Sequence, residues 1–220
     1  MMKNLLTIVF IFIVSSFSIA NAQAPFEDEI QHFKDTDKIN PPPQHAILFI
    51  GSSSFRKWTD VQSYFPSHTI INRGFGGSTL PDVIHYANDI IFPYNPKQIV
   101  IYCGDNDLAS SDTITPQIVF NRFKELFFII RNKMPQVNIV YVSIKPSPSR
   151  EALMPKMEAA NNMINIFLSN QPNTSFADVY HKMLTSAGTP IKEIFTEDNL
   201  HMNAKGYAIW QKVIEPYLIK

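Results

Sequence analysis

Cysteine is nearly absent: Cys103 is the only one in 220 residues. No intrachain disulfide can form, so a disulfide-stapled scaffold is excluded. Inside the apolar run 98–103 this side chain reads as a small buried hydrophobe rather than a reactive thiol. Net charge is lacking too, with 19 Lys and Arg against 19 Asp and Glu. Neutralising phosphates takes a basic face, and none stands out, so nucleic acid is not an expected partner. The six histidines show no His-x-x-x-His or similar ligand spacing, and neither metal nor cofactor is called for. His32, His45, His68, His85 and His181 read as structural, without a partner pattern. There is no internal repeat and no low-complexity tract.

Long apolar runs are equally scarce. The one that stands out, residues 5–17, follows Lys3 and precedes Ala20-Asn21-Ala22. It is short for a membrane span and has the form of a signal peptide over residues 1–22, the alternative being an uncleaved N-terminal anchor. No cysteine sits at the cleavage point to carry a lipid. The expected product is an exported chain, periplasmic or extracellular, with no membrane span after cleavage. At about 198 residues it fits one domain with a substantial core. A helical lead-in over residues 23–45, ending near Pro41-Pro42-Pro43, precedes a domain at 46–220.

What the chain does have is aromatic mass, 17 Phe and 8 Tyr, and a strand–helix alternation. Residues 46–50, 69–72, 98–103 and 137–143 are nearly continuous in apolar side chains, as strands buried on both faces are. Residues 175–179 form a weaker fifth. Between them, helices are expected over 80–91, 116–133 and 150–168, a closing one over 203–218, and one starting near residue 55. In 116–133, Ile118, Phe120, Phe123, Leu126, Phe127 and Ile130 recur at helical spacing and are expected to face the sheet. Such alternation specifies a parallel sheet covered on both sides, reacting at the carboxyl ends of its strands.

The chemically loaded residues fall at those ends. Gly51-Ser52-Ser53-Ser54 follows the first strand, where a serine hydroxyl can point out of the sheet edge beside free helix-terminal N–H groups. The same tetrapeptide also suits a plain helix cap. Gly74-Phe75-Gly76-Gly77 follows the second strand, and its glycines let backbone N–H groups approach a ligand. It does not match Gly-x-Gly-x-x-Gly and follows the second strand, not the first, which disfavours a dinucleotide site. Gly104-Asp105-Asn106-Asp107 follows the third strand, and the Asn106 amide is a potential oxyanion donor. Asp198-Asn199-Leu200-His201 precedes the closing helix, a spacing that can bring a carboxylate onto an imidazole Nδ1. There the alternative is that Asp198 or Asn203 caps the helix.

Taken together, in the order Ser, Gly, Asn, Asp, His, these blocks resemble the SGNH (GDSL-like) hydrolase family over residues from about 47 to the C-terminus. The resemblance implies a flavodoxin-like three-layer α/β/α sandwich with a five-stranded parallel sheet. It implies Ser53 as nucleophile, His201 as general base and Asp198 as its orienting partner, with the Ser53 N–H, the Gly77 N–H and the Asn106 side chain as oxyanion donors. Many members carry Asp where this chain has Ser52, and a register shift would make Ser52 or Ser54 the nucleophile. The reading is a serine esterase or acylhydrolase working through an acyl-enzyme on a small-molecule, polysaccharide or lipid ester, with a short acyl group. Phe75, Leu80, Asp107, Leu108 and Lys145, the last in the 145–150 loop, are expected to wall the substrate pocket. Arg56, Arg73 and Lys145 are read as structural or solvated cations before substrate contacts. The competing classes are a non-catalytic carbohydrate- or lipid-binding protein on this fold and an acyltransferase.

Overall fold

A computed structural model describes residues 24–220; the leader expected at 1–22 lies outside the described residues. Five strands form one sheet: β1 Ile47–Gly51, β2 Ile70–Gly74, β3 Gln98–Tyr102, β4 Asn138–Val142 and β5 Thr174–Ala177. They run in the order β2-β1-β3-β4-β5 with every pair parallel. That is the flavodoxin-like order, in which the topological switch lies between β1 and β3. Ile47 pairs with Ile70 on one side and Gln98 on the other, and Gly51 with Gly74 and Tyr102. The ends of the three strands therefore lie level.

The strands are continuous in apolar residues because each face meets its own core. Leu48, Ile50, Ile99, Ile101 and Tyr141 pack into one cluster with Phe123, Phe127 and Ile164. Ile47, Phe49, Val100, Tyr102 and Val142 pack on the opposite face with Phe55, Trp58 and Trp210. The α-helices among the described residues are α1 Glu27–Ile39, α2 Ser53–Arg56, α3 Val61–Tyr64, α4 Leu80–His85, α5 Ala87–Ile90, α6 Asp105–Ser110, α7 Pro116–Lys133, α8 Met154–Ser169 and α9 Ala204–Ile214. No helix among the described residues is long and apolar enough to cross a membrane.

Several boundaries differ from expectation, each for a local reason. The helix expected over 80–91 divides at Tyr86, whose φ/ψ of −93°/9° leaves the α-region while its hydroxyl reaches the Pro25 carbonyl at 2.6 Å. The helix expected from 150 starts at Met154, preceded by a 3₁₀ segment, Pro148–Leu153. Pro155 lacks an N–H and is tolerated only in a first turn, which fixes that start. Pro216 likewise turns the end of the closing helix into a 3₁₀ turn, Glu215–Tyr217. The stretch expected to start a helix near 55 holds two short ones, α2 and α3. On α7 the buried face is Val119, Phe123, Leu126, Phe127 and Ile130, with Ile118 and Phe120 only half-buried at its edges.

The lead-in is fastened to the sheet. Arg73 of β2 pairs with Asp37 of α1 at 2.5 Å and donates from Nε to the Tyr94 hydroxyl at 2.7 Å. Tyr94 in turn donates to Asp37 at 2.6 Å. Burial, with the Asp37 carboxylate behind it, pushes the Tyr94 hydroxyl up to about 12. Arg73 is thus a structural cation that joins α1 to the sheet.

Candidate active site

Gly51 ends β1 at φ 129°, where a Cβ would lie 1.9 Å from the Tyr102 carbonyl oxygen. Only glycine lets the chain cross the end of β3 that closely. The Ser52 N–H donates to that same carbonyl at 3.0 Å, and α2 begins at once with Ser53. Phe55 anchors α2, buried against Phe49, Tyr102 and Trp210 at ring separations of 4.9, 5.9 and 5.9 Å. The three serines then separate by direction. Ser52 is buried, and its Oγ accepts from Asn106 Nδ2 at 2.7 Å. Ser54 is buried, and its carbonyl accepts from the Tyr207 hydroxyl at 2.8 Å. Ser53 is half-buried, with Oγ 3.0 Å from His201 Nε2.

His201 is held by a tight turn. The Thr196 N–H donates to the His201 carbonyl at 2.8 Å, Asn199 takes the left-handed region at φ 54°, and Phe195 bridges Met202. His201 Nδ1 lies 2.5 Å from Asp198 Oδ2. Asp198 Oδ1 accepts from the Leu200 and His201 N–H groups, both at 2.9 Å, and from the Thr196 hydroxyl at 2.8 Å. The cap of α9 is Asn203, which accepts from the Lys205 N–H at 2.9 Å. Asp198 Oδ2 is thus free to face the imidazole, with Lys57 Nζ 4.0 Å away on its outer side. Burial by itself would raise the Asp198 carboxyl, but its hydrogen bonds to His201, Leu200 and Thr196 hold it well below the usual carboxylate range.

A carboxyl depressed on folding adds stability that is complete above its unfolded pKa of about 3.9 and is lost as pH falls through the lower folded value. Urea midpoints measured from pH 6 to pH 2 should show wild type losing its advantage over Asp198→Asn only below about pH 4. An advantage that already fades between pH 6 and 5 would contradict this.

Beside Ser53, the loop after β2 presents Gly77, whose N–H, like that of Ser53, has no internal acceptor among the described residues. A Cβ on Gly77 would stand 3.8 Å from Asn106 Nδ2, so the two lie side by side. Asn106 Nδ2 also donates to the Ser78 carbonyl at 3.1 Å, and its Oδ1 accepts from Arg150 at 2.9 Å. The lead-in helix closes this rim, an arrangement without a sequence signal. Glu29 Oε2 accepts from the Gly76 N–H at 3.2 Å and pairs with Arg56 Nε at 2.6 Å. Phe26 meets Phe75 edge-on at 5.3 Å. Arg56 is thus tied to Glu29.

The expected pocket walls are corrected by their burial. Phe75, Leu80 and Leu108 have essentially no exposed surface and belong to the core. Asp107 is buried too, bonded to Arg122 Nη1 at 2.7 Å and the Leu80 N–H at 2.9 Å. Lys145 is 1% exposed and points inward to Asp105 at 3.2 Å. None of the five opens onto solvent beside Ser53. The crevice that does adjoin the site, about 580 Å³, is lined by Arg56, Lys57, Thr59, Thr196, His201 and Met202. A second crevice of about 460 Å³ under α1 shares Arg56 and Thr59 with it but includes neither Ser53 nor His201.

His181 also needs correcting, because it does have a partner. Asp178-x-x-His181 repeats the spacing of Asp198-x-x-His201, with Asp178 Oδ2 2.7 Å from His181 Nδ1. The pair is solvent-exposed, and Nε2 faces Glu158 at 3.9 Å instead of a serine. No group of three or more His, Cys, Asp or Glu among the described residues could hold a metal ion.

Residues 36–209 match the profile of the GDSL-like lipase/acylhydrolase family, and the chain belongs to that family of hydrolases. Among solved structures, a proposed platelet activating factor from Streptococcus pneumonia superposes with a TM-score of 0.75 at 23% identity, covering 87% of this chain and 92% of its own. A GDSL-like lipase from Bacteroides thetaiotaomicron gives 0.72 at 18% identity, covering 85% and 95%. A carbohydrate esterase family 3 protein from Talaromyces cellulolyticus gives 0.62 at 16%, covering 77% and 94%. At these identities the likeness shows a common fold. None of the curated proteins matches the chain.

Proposed function

We propose that this protein is an exported serine esterase that removes a short acyl group from a carbohydrate or lipid alcohol through an acyl-enzyme on Ser53. The observation that carries the reading is the unbroken line from Ser53 Oγ to His201 Nε2, 3.0 Å, and from His201 Nδ1 to Asp198 Oδ2, 2.5 Å. His201 takes the Ser53 proton as Oγ attacks the ester carbonyl, and Asp198 steadies the imidazolium that forms. The developing oxyanion meets the Ser53 and Gly77 N–H groups and the Asn106 N–H that exchanges its bond to Ser52 Oγ for one to the oxyanion, each such donor contributing about 3 kcal/mol. His201 then gives the proton to the leaving alcohol, and water attacks the acyl-enzyme by the same route.

A small acyl group suits the packing behind Gly77 and Asn106, where Phe75, Leu80 and Leu108 fill the interior. The crevice beside His201, with its two threonines and two cations, suits a polar alcohol. The carbohydrate esterase among the structural neighbours is in keeping with this choice. The apolar run 5–17 followed by Ala20-Asn21-Ala22 supports export.

The test is a fluorophosphonate probe on purified protein, with peptide mass spectrometry and a series of p-nitrophenyl esters from acetyl to decanoyl. The expected result is label on Ser53, acetyl turned over fastest, and a mature N-terminus at Gln23. Label on Ser52 or Ser54 would move the nucleophile. A folded protein that neither labels nor turns over any ester would instead be a binding protein.

A further inference from the structure

The Asn106 amide has two faces, and a side-chain amide can be inserted either way round. What decides its orientation is the partner of each end. On the far side from Gly77 stands Arg150, from the loop after β4, with Nη2 2.9 Å from Asn106 Oδ1. A guanidinium carries donors only. Turning the amide over would set N–H against N–H at Arg150 and oxygen against the Ser78 carbonyl at the other end, so Arg150 from its side and Ser78 from the opposite one keep the oxygen towards Arg150 and the Nδ2 donors towards Ser52, Ser78 and Gly77.

Arg150 is in turn fixed. Its Nη1 pairs with Asp105 Oδ1 at 2.6 Å, while Asp105 Oδ2 pairs with Lys145 at 3.2 Å. One planar guanidinium thus spans the adjacent side chains of residues 105 and 106, at the start of α6. The fork is what makes this possible, since an ammonium cannot bridge two acceptors in a plane. Two cations against one carboxylate also leave a net positive charge behind the amide. An amide whose oxygen accepts from a cation donates more strongly through its nitrogen.

We propose that Arg150 is a positioning residue for the reaction, acting through Asn106: it sets the amide so that Nδ2 faces the oxyanion and strengthens that donor. This rests on the esterase reading and on Asn106 as an oxyanion donor.

The experiment is a double-mutant cycle on p-nitrophenyl acetate hydrolysis, using Arg150→Met, Arg150→Lys, Asn106→Ala and the two combinations, with near-UV circular dichroism and urea midpoints for each. Arg150→Lys keeps a cation for Asp105 and so guards against a variant that fails to fold. The expected result is a kcat about 10–100-fold lower for Arg150→Met and Arg150→Lys, with KM changed less than about threefold. In the Asn106→Ala background either change at Arg150 should cost less than about twofold. An equal loss with and without Asn106, or no loss at all, overturns the proposal, as does a loss confined to KM. If Ser53→Ala is inactive but Asn106→Ala is unimpaired, the donor role of Asn106 fails and the proposal with it, while the esterase stands. If Ser53→Ala keeps full activity, the esterase reading itself fails.

Discussion

Ser53→Ala is expected to lower kcat on p-nitrophenyl acetate by about 10⁴-fold or more, leaving only the slow hydrolysis that bound donors support without a nucleophile. The neighbours cannot replace it. The Ser52 hydroxyl is engaged by the Asn106 amide, and Ser54 is buried with its carbonyl bonded to Tyr207. Neither lies on His201. Stability should change by less than about 1 kcal/mol, because the hydroxyl of this half-buried residue contributes one hydrogen bond, to the imidazole. Activity and the urea midpoint measured on the same preparation check both halves. A variant that keeps a tenth of wild-type activity would show that the proton relay runs elsewhere.

The second large effect concerns the fold. Asp105→Ala should destabilise by about 3–5 kcal/mol, because it strands a fully buried Lys145 and a mostly buried Arg150 without their carboxylate. For a chain of this size that is roughly 10 °C in Tm. In the intact protein, burial works to raise the Asp105 carboxyl, yet Lys145 and Arg150 keep it below the ordinary range, while burial pushes the Lys145 ammonium down. The loss arises from uncompensated charge rather than lost packing. The double change Asp105→Leu with Lys145→Met should therefore recover the share due to Lys145, leaving Arg150 as the one cation without its carboxylate. Thermal melts of the three proteins decide the matter, and a single-variant loss under about 1 kcal/mol would show that water reaches Lys145.

The sequence carried the fold well because a parallel sheet buried on both faces leaves continuous apolar segments, and Ile47–Gly51 and Gln98–Tyr102 are such segments. Helix ends were harder where proline acts by position: Pro155 opens a helix that the periodicity of residues 150–168 extends too far upstream. The site divides along the same line. Asp198 and His201 meet inside one turn, and Ser53 sits where a strand becomes a helix, so each is visible in a few consecutive residues. Asp178 and His181 show the limit of that signal, since the same spacing leads to an exposed pair with no serine. Contacts between distant segments left no mark. Nothing local says that Arg150 reaches Asn106, that Glu29 reaches Gly76 and Arg56, or that Lys145 turns inward where a loop lysine normally faces water.

The contact of Glu29 with Gly76 and Arg56 has a practical side. The family match begins at residue 36, yet the rim beside Ser53 is completed by residues 26–29. An expression design trimmed to the matched region would discard that rim while keeping Ser53, Asp198 and His201 intact. An affinity tag joined ahead of Ala24 would stand only a few residues from the rim. A design that starts no later than Ala24 and carries its tag at Lys220 keeps Phe26 and Glu29 on the rim, and with them the surface that an incoming substrate meets.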